Sequence, residues 1–330
     1  MAQIQQALRT EWVEVCPLSA RKVRKTLQTG MSTRRGGSRV WACLVAGLFG
    51  VLVGGLPKTM QAQALGWEGE TGVFVTPLAY TAAVEGQKIH AVVAYHYFDA
   101  GPVVGQYHEA SSEVAFGRRL EFGYTREFHI EGGDPAISPL YQNGMDLFNG
   151  KAILLAENYG QRQWVPAVSV GFIARTGDRN VGDYVTWNPA TNNGSNNGDV
   201  YLVASKIVKQ TKVPLVLSGG IRGTNAELWG MGGNAPGWDA RGFGAVAFVL
   251  SGPRSSTITV GGEVAQQPLH PINFPGLNIP TTLTYCARLV PSKRHHLNLD
   301  AGVAQIAGEV GPGVNLKARH QFGVQASYGF

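Results

Sequence analysis

The sequence predicts an all-β fold, a transmembrane antiparallel up-and-down β-barrel of about twelve strands, with fourteen as the alternative count. Three observations predict it. Residues 320–330 place His320, Phe322, Val324, Ala326, Tyr328 and Phe330 on one face and Gln321, Gly323, Gln325, Ser327 and Gly329 on the other. That period of two marks a strand with one apolar face, and about 9–11 such residues, tilted, cross the hydrocarbon core of a bilayer. After residue 65, helical periodicity is nearly absent, and short strand-like runs bounded by Gly, Pro, Asn and Asp recur instead. The connectors between these runs alternate long and short, as the two ends of a membrane-spanning barrel do.

The spanning strands are placed at 88–98, 107–116, 119–128, 150–157, 163–175, 199–208, 213–222, 242–251, 256–265, 281–290, 295–306 and 320–330. Several show two clear faces. Leu120, Phe122 and Tyr124 alternate with Arg119, Glu121 and Gly123, and Leu283, Tyr285, Ala287 and Leu289 with Thr282, Thr284, Cys286 and Arg288. Backwards from Phe330 the connectors run 307–319, 291–294, 266–280, 252–255, 223–241, 209–212, 176–198, 158–162, 129–149 and 117–118, long and short in turn, ending on a moderately long 99–106. The run at 242–251 is apolar on both faces, which a protein plug inside the barrel would explain. Residues 65–87 fit less simply. Gly72 to Thr81 reads as a strand, yet counting it gives an odd number, so the segment either lies in the lumen or has a hidden partner strand that raises the count to fourteen.

The N-terminal region carries a different signature. Arg34, Arg35 and Arg39 precede an uncharged run from Val40 to Leu56, followed by Ala62-Gln63-Ala64. A basic region, an apolar core and a small-x-small site describe a secretory signal peptide cut before Leu65; a retained anchor is the alternative. Met31 begins such a peptide, so residues 1–30 read as an over-extended N-terminus, 31–64 as the signal peptide, 65–87 as an N-terminal segment and 88–330 as the barrel. The chain's net charge of +6 then belongs to the leader. Nine of the 28 basic and two of the 22 acidic residues precede residue 65, leaving 19 and 20, a net of −1. No nucleic-acid-binding face is expected from that balance. Cys286 is the one cysteine after residue 65, and no Cys/His spacing suggests a metal site. Neither a metal nor another cofactor is expected.

Chemistry-bearing residues are sparse. By alternation, Arg119, Glu121, Arg175, Arg222, Glu263, Arg288 and Asp300 point into the lumen. Rings of charge select ions in a pore, and the alternative is that these charges pair across neighbouring strands and fill the barrel. Trp164, Trp187, Trp229 and Trp238 fall in loops or near strand ends, where interfacial aromatics sit; stacking on a ligand is the other use for Trp229 and Trp238. Asp178 to Asp183 superficially resembles a calcium loop but lacks the glycine and glutamate such a loop needs. Val213 to Gly223 resembles a phosphate-binding strand-loop of flavin-using (β/α)8 barrels, a fold that needs helices this chain lacks. A hydrolase would need serine, histidine and an orienting group in reach; His320 and Ser327 face opposite ways, and His96 has no nucleophile beside it.

Two resemblances add to this. The closing strand, with aromatic Tyr328 and Phe330, resembles the C-terminal signal that bacterial outer-membrane barrels present to their assembly machinery. Leu228 to Trp238, Asn278 to Tyr285 and Gly302 to Gly308 resemble an uncharacterised proteobacterial family of outer-membrane proteins, over nearly all of the chain after the leader. The resemblance implies the outer membrane of a Gram-negative cell, with lipid and the assembly machinery as partners, and carries no catalytic residue. The expected function is porin-like passage of small solutes through a mixed-charge lumen, without catalysis. The alternatives are a closed barrel that binds a partner or surface polymer through long external loops, and a barrel-embedded lipid hydrolase.

Overall fold

The computed structural model describes residues 64–133, 144–177, 196–226, 237–269, 278–291, 296–311 and 313–330. The expectations for residues 1–30 and 31–63, and for Trp187 and Trp229, lie outside the described residues.

Twelve strands close into an antiparallel barrel: β1 (Ile89–Asp99), β2 (Gly105–Phe116), β3 (Leu120–Glu131), β4 (Met145–Leu155), β5 (Ala167–Gly177), β6 (Asn196–Val208), β7 (Leu215–Thr224), β8 (Asp239–Ser251), β9 (Thr257–Ala265), β10 (Thr282–Val290), β11 (Leu297–Gln305) and, after a two-stranded hairpin, β14 (Gln321–Gly329). Each strand pairs with its chain neighbours, and β14 closes the ring on β1 in the register Val92↔Gly329 to Phe98↔Gly323. Closure leaves no unpaired edge, the condition a sheet must meet in lipid.

The alternation read from the sequence is the physical basis of the two surfaces. Val93, Tyr95, Phe122, Phe148, Phe172, Leu202, Ile221, Phe248, Tyr285 and Phe322 are all exposed on the outside. The residues between them, including Glu109, Glu121, Asn149, Lys151, Arg175, Asp199, Arg222 and Gln325, are buried. Apolar side chains outside and charged ones inside invert the order of a water-soluble core and identify a membrane-spanning barrel.

Four local expectations are corrected. The strand expected from 163 begins at Ala167, because Pro166 has no N–H to give the ladder; Tyr159–Gln161 forms a single 3₁₀ turn ahead of it, and the connection 156–166 is longer than expected. The fourth strand starts earlier, at Met145. The first connection, read as moderately long, is short: Gly101–Val104 forms one helical turn closed by Ala100 N–H to Gly105 O at 2.8 Å. Finally, the stretch expected as a plain loop over 307–319 contains β12 (Ala307–Gly311) and β13 (Val314–Ala318), a separate antiparallel hairpin.

Gly72 to Thr81 joins no strand. Its one ladder contact is the isolated bridge Gly72↔Pro77, with the bridge Leu65↔Thr71 just ahead of it, so the barrel has twelve strands. With an even count, the start of β1 and the end of β14 lie at one end, together with the turns 117–119, 209–214 and 252–256 and the end of β10. The connection 156–166 also lies at this end; apart from the short 100–104, the connections at the other end are longer.

Candidate functional site

Residues 64–84 occupy the lumen, with 85–87 exposed where the segment runs out to β1, and their contacts reach inner-wall residues right round the barrel. The reason is in the side chains and the backbone alike. A segment without regular structure has unpaired N–H and C=O groups, and these must find partners once buried. The wall supplies them.

Glu263 on β9 receives three successive backbone N–H groups, from Phe74 (2.9 Å), Val75 (2.9 Å) and Thr76 (3.1 Å), together with the Thr76 hydroxyl (2.9 Å). Consecutive N–H groups turned to one side make a concavity that holds an anion. Across the lumen, Glu121 on β3 receives Thr71 N–H (3.1 Å), Thr71 O–H (2.7 Å) and Ala82 N–H (2.9 Å), and pairs with Lys151 on β4 at 2.6 Å. Lys151 donates in turn to the carbonyls of Thr71 (2.8 Å) and Tyr80 (3.0 Å). Ser205 and Ser169 hold both sides of Ala79, at 2.9 and 2.7 Å.

Glu68 is the centre of the largest ion network. It accepts from Arg175 Nε (2.9 Å) and from Arg222 Nη1 (2.7 Å), and both guanidinium groups also meet Asp199, Arg222 at 3.1 Å. Arg175 reaches Asn197 Oδ1 at 2.8 Å. Two arginines and two carboxylates balance. Such a buried set costs desolvation and returns it only with good geometry, so its clearest effect is to fix one position for Glu68.

The fit is also steric. Gly69 has a φ of 90°, and a Cβ there would lie 2.0 Å from Thr125 Oγ1. A Cβ at Gly323 on β14 would lie 2.7 Å from the Phe74 ring, so the small inward positions of the closing strand make room for an aromatic of the plug. The inner face of β8 is apolar for the same reason: Ala247 and Val249 pack with Val73 and Leu78.

Among the residues expected to line the lumen, Glu121, Arg175, Arg222, Glu263, Arg288 and Asp300 lie on inner strand faces and bind the plug or each other. Arg288 holds Asp300 through two N–H groups (2.9 and 3.0 Å) and donates to Val73 O at 2.6 Å. Arg119 is placed differently, exposed in the turn ahead of β3 and not on its inner face. A cavity of about 780 Å³ opens at this short-turn end, lined among others by Arg118, Arg119, Lys209, Glu157, Cys286, Arg288 and Asp300. The long-loop end is covered: Trp67 packs edge-on to Phe98 at 5.3 Å, His129 Nε2 meets Val104 O at 2.7 Å, and the turn Gly101–Val104 lies against β13.

Sequence reasoning passed over the acidic wall. Glu109 and Glu113 on β2 and Glu127 on β3 are buried, and so is Glu70 in the plug; Glu109 and Glu127 stand opposite each other across the ladder, Glu113 lies beside Asn149, and Glu70 has no side-chain hydrogen-bond partner. The inward parity of Tyr107, Glu109, Ser111 and Glu113 was the available signal. Burial, then the charge of Glu68, push the Glu70 carboxyl up to about 8, against the pull of Arg222 and Lys151. His96 Nδ1 stands 3.5 Å from Glu109. Ser327 is buried in the lumen beside Asn298 while His320 is exposed, so the structure does not bring these two together. Trp238 is exposed, as is Trp164. Tyr328 and Phe330 project outward with ring centroids 5.0 Å apart, and Phe330 N–H pairs with Ala91 O at 2.8 Å.

No protein-family model and no curated protein matches the chain. Solved structures similar to it are membrane barrels. An outer-membrane channel from Pseudomonas putida F1 is 11% identical with a TM-score of 0.43, over 75% of this chain and 97% of that one. The KdgM porin in complex with disordered oligogalacturonate is 12% identical with a TM-score of 0.40, over 72% and 99%. The NanC porin is 7% identical with a TM-score of 0.40, over 73% and 98%.

Proposed function

We propose that this chain is an outer-membrane barrel of a Gram-negative cell, of the proteobacterial family its sequence resembles, that passes small solutes when its N-terminal segment leaves the lumen. The leader is removed before Leu65, and the closing strand with Tyr328 and Phe330 is read by the assembly machinery. The observation that carries the transport reading is the character of the plug's contacts. Glu263, Glu121, Lys151, Ser169 and Ser205 hold it by hydrogen bonds to its backbone, and water can replace each of these. A cavity of about 780 Å³ already gives solvent access from the short-turn end. The mixed-charge lining then becomes the path that the displaced plug uncovers. No catalytic step belongs to this reading.

A second reading is a barrel that stays closed and acts through its long-loop end. The packing of the Gly101–Val104 turn against the β12–β13 hairpin favours it. Planar-bilayer conductance separates the two. The wild-type barrel is expected to conduct in rare, short openings, and a variant lacking residues 66–82 to conduct steadily. If the shortened barrel folds and does not conduct, the closed reading stands. The assembly part has its own test. Deleting Phe330 removes an exposed aromatic and the N–H bonded to Ala91, so the heat-modifiable folded form should fall several-fold in membrane fractions. Normal folded levels would remove the assembly role from this residue.

A further inference from the structure

Leu65, the residue that follows the Ala62-Gln63-Ala64 site, is buried inside the lumen. Its carbonyl accepts from Gln325 on β14, and Thr71 is its bridge partner. The next residue, Gly66, lies under the Glu70 carboxylate: a Cβ built there would be 3.3 Å from Glu70 Oε1. Trp67 then packs against His96, ring centroids 6.0 Å apart, and His96 fronts Glu109. The backbone at Leu65 therefore stands beside Glu70, a buried carboxylate that lacks a side-chain partner.

The charge balance of this region is uneven. Arg175 and Arg222 balance Glu68 and Asp199, and Lys151 balances Glu121. Glu70, Glu109, Glu113 and Glu127 remain, fully buried; Glu109 and Glu127 meet each other and Glu113 meets Asn149, which leaves both Glu70 oxygens without a side-chain partner. A buried carboxylate without a partner is strongly disfavoured, and no three of the described His, Cys, Asp or Glu residues are placed to hold a metal ion.

We propose that the α-ammonium group created at Leu65 by removal of the leader is the missing counter-charge of this lumen, and that it pairs with Glu70. The inference rests on cleavage before Leu65, as proposed above. Hydrolysis of the Ala64–Leu65 peptide bond adds water, leaves a carboxylate on the departing leader and frees an amine that takes up a proton. One hydrogen bond is lost with the Ala64 carbonyl, which accepts Gly72 N–H at 3.2 Å. Three N–H donors on a positive charge replace it, within the acid-rich part of the lumen. Maturation then locks the plug: the segment reaches its final stability in the barrel only after its leader has gone. The charged groups around Glu70 are Glu68 from the plug, Glu109 and Glu113 from β2, Lys151 from β4 and Arg222 from β7, and the groups that meet the Leu65 backbone are His96 from β1 and Gln325 from β14.

Intact-mass measurement of the barrel purified from membranes first fixes where the chain begins. A start other than Leu65 overturns the cleavage reading, and the inference with it. Given a start at Leu65, the α-amine is challenged with an amine-acetylating reagent at neutral pH and its modification is read by mass. Acetylation in the folded barrel should be slowed about 100-fold relative to the urea-unfolded chain, as for a group reached only through opening of the structure. Glu70→Gln should restore most of that reactivity while exposed Lys209 reacts as before. An α-amine that reacts as fast folded as unfolded overturns the pairing while leaving cleavage intact. Equal protection in wild type and Glu70→Gln overturns the assignment to Glu70. If Glu70→Gln does not fold, a two-residue Gly-Ser insertion before Leu65 replaces it, and an unchanged protection there counts against the proposal.

Discussion

The two ends of the lumen are built from the same alternating strands and behave as opposites. Towards the long loops, Glu68 ties Arg175 and Arg222 together beneath Trp67, Phe98 and Tyr107, and the charged side chains are at most 2% exposed. Towards the short turns, Arg288 and Asp300 pair on the wall of a cavity of about 780 Å³, and the arginine side chain is 18% exposed. An ion pair is worth much more to break where water cannot replace the lost partner. The difference teaches that inward-pointing charge has no single meaning in this barrel: at one end it anchors the plug, and at the other it lines a space solvent can enter.

The largest test of that contrast is removal of one partner at each end. Glu68→Leu leaves two buried guanidinium groups sharing Asp199 and should cost ~3–5 kcal/mol. Asp300→Asn leaves Arg288 with the Val73 carbonyl and nearby water, and should cost about 1 kcal/mol. Urea unfolding of each variant in lipid measures both; equal losses would break the comparison. Next in size is the pair Tyr285→Arg and Cys286→Arg on β10. Tyr285 faces lipid, 63% exposed, where an arginine costs ~2–4 kcal/mol near the midplane. Cys286 borders the cavity, where an arginine can reach water, so its loss should be smaller. Equal destabilisation would place the register of β10 in error. The smallest effect is on reactivity alone. A small hydrophilic maleimide should label Cys286 in the folded barrel, whereas a cysteine at Thr125, beneath Gly69 and buried, should be labelled only after unfolding. Labelling of both would mean the long-loop end is as wet as the short-turn end.

Most of the barrel was legible because strand alternation in a membrane is a local code. A residue's neighbours at two positions fix whether it meets lipid or lumen, and the twelve expected strands correspond one to one with the observed strands, with shifts at ends such as Pro166 and Met145. The candidate site was legible in part. Parity alone gave the inward faces of Glu121, Arg175, Arg222, Glu263, Arg288 and Asp300. It misplaced Arg119, because the strand was taken to start one residue too early and the turn claims that position. The acidic residues Glu109, Glu113 and Glu127 were equally readable by parity, but nothing in a strand's own pattern marks which inward charges find a partner.

The sequence by itself determined the all-β class and the two faces of each strand, since each depends on residues close together in the chain; it left twelve and fourteen strands open. Only the tertiary structure decided what fills the lumen. Gly72 to Thr81 has the composition of a strand, yet its N–H groups are taken by Glu263, nearly two hundred residues away, and its carbonyls by Lys151 and Arg288. Those contacts exist only once the sheet has closed and its inner wall presents charge from every side. The physical reason is that burying a backbone requires partners, and for this segment the nearest partners in space are among the most distant in sequence.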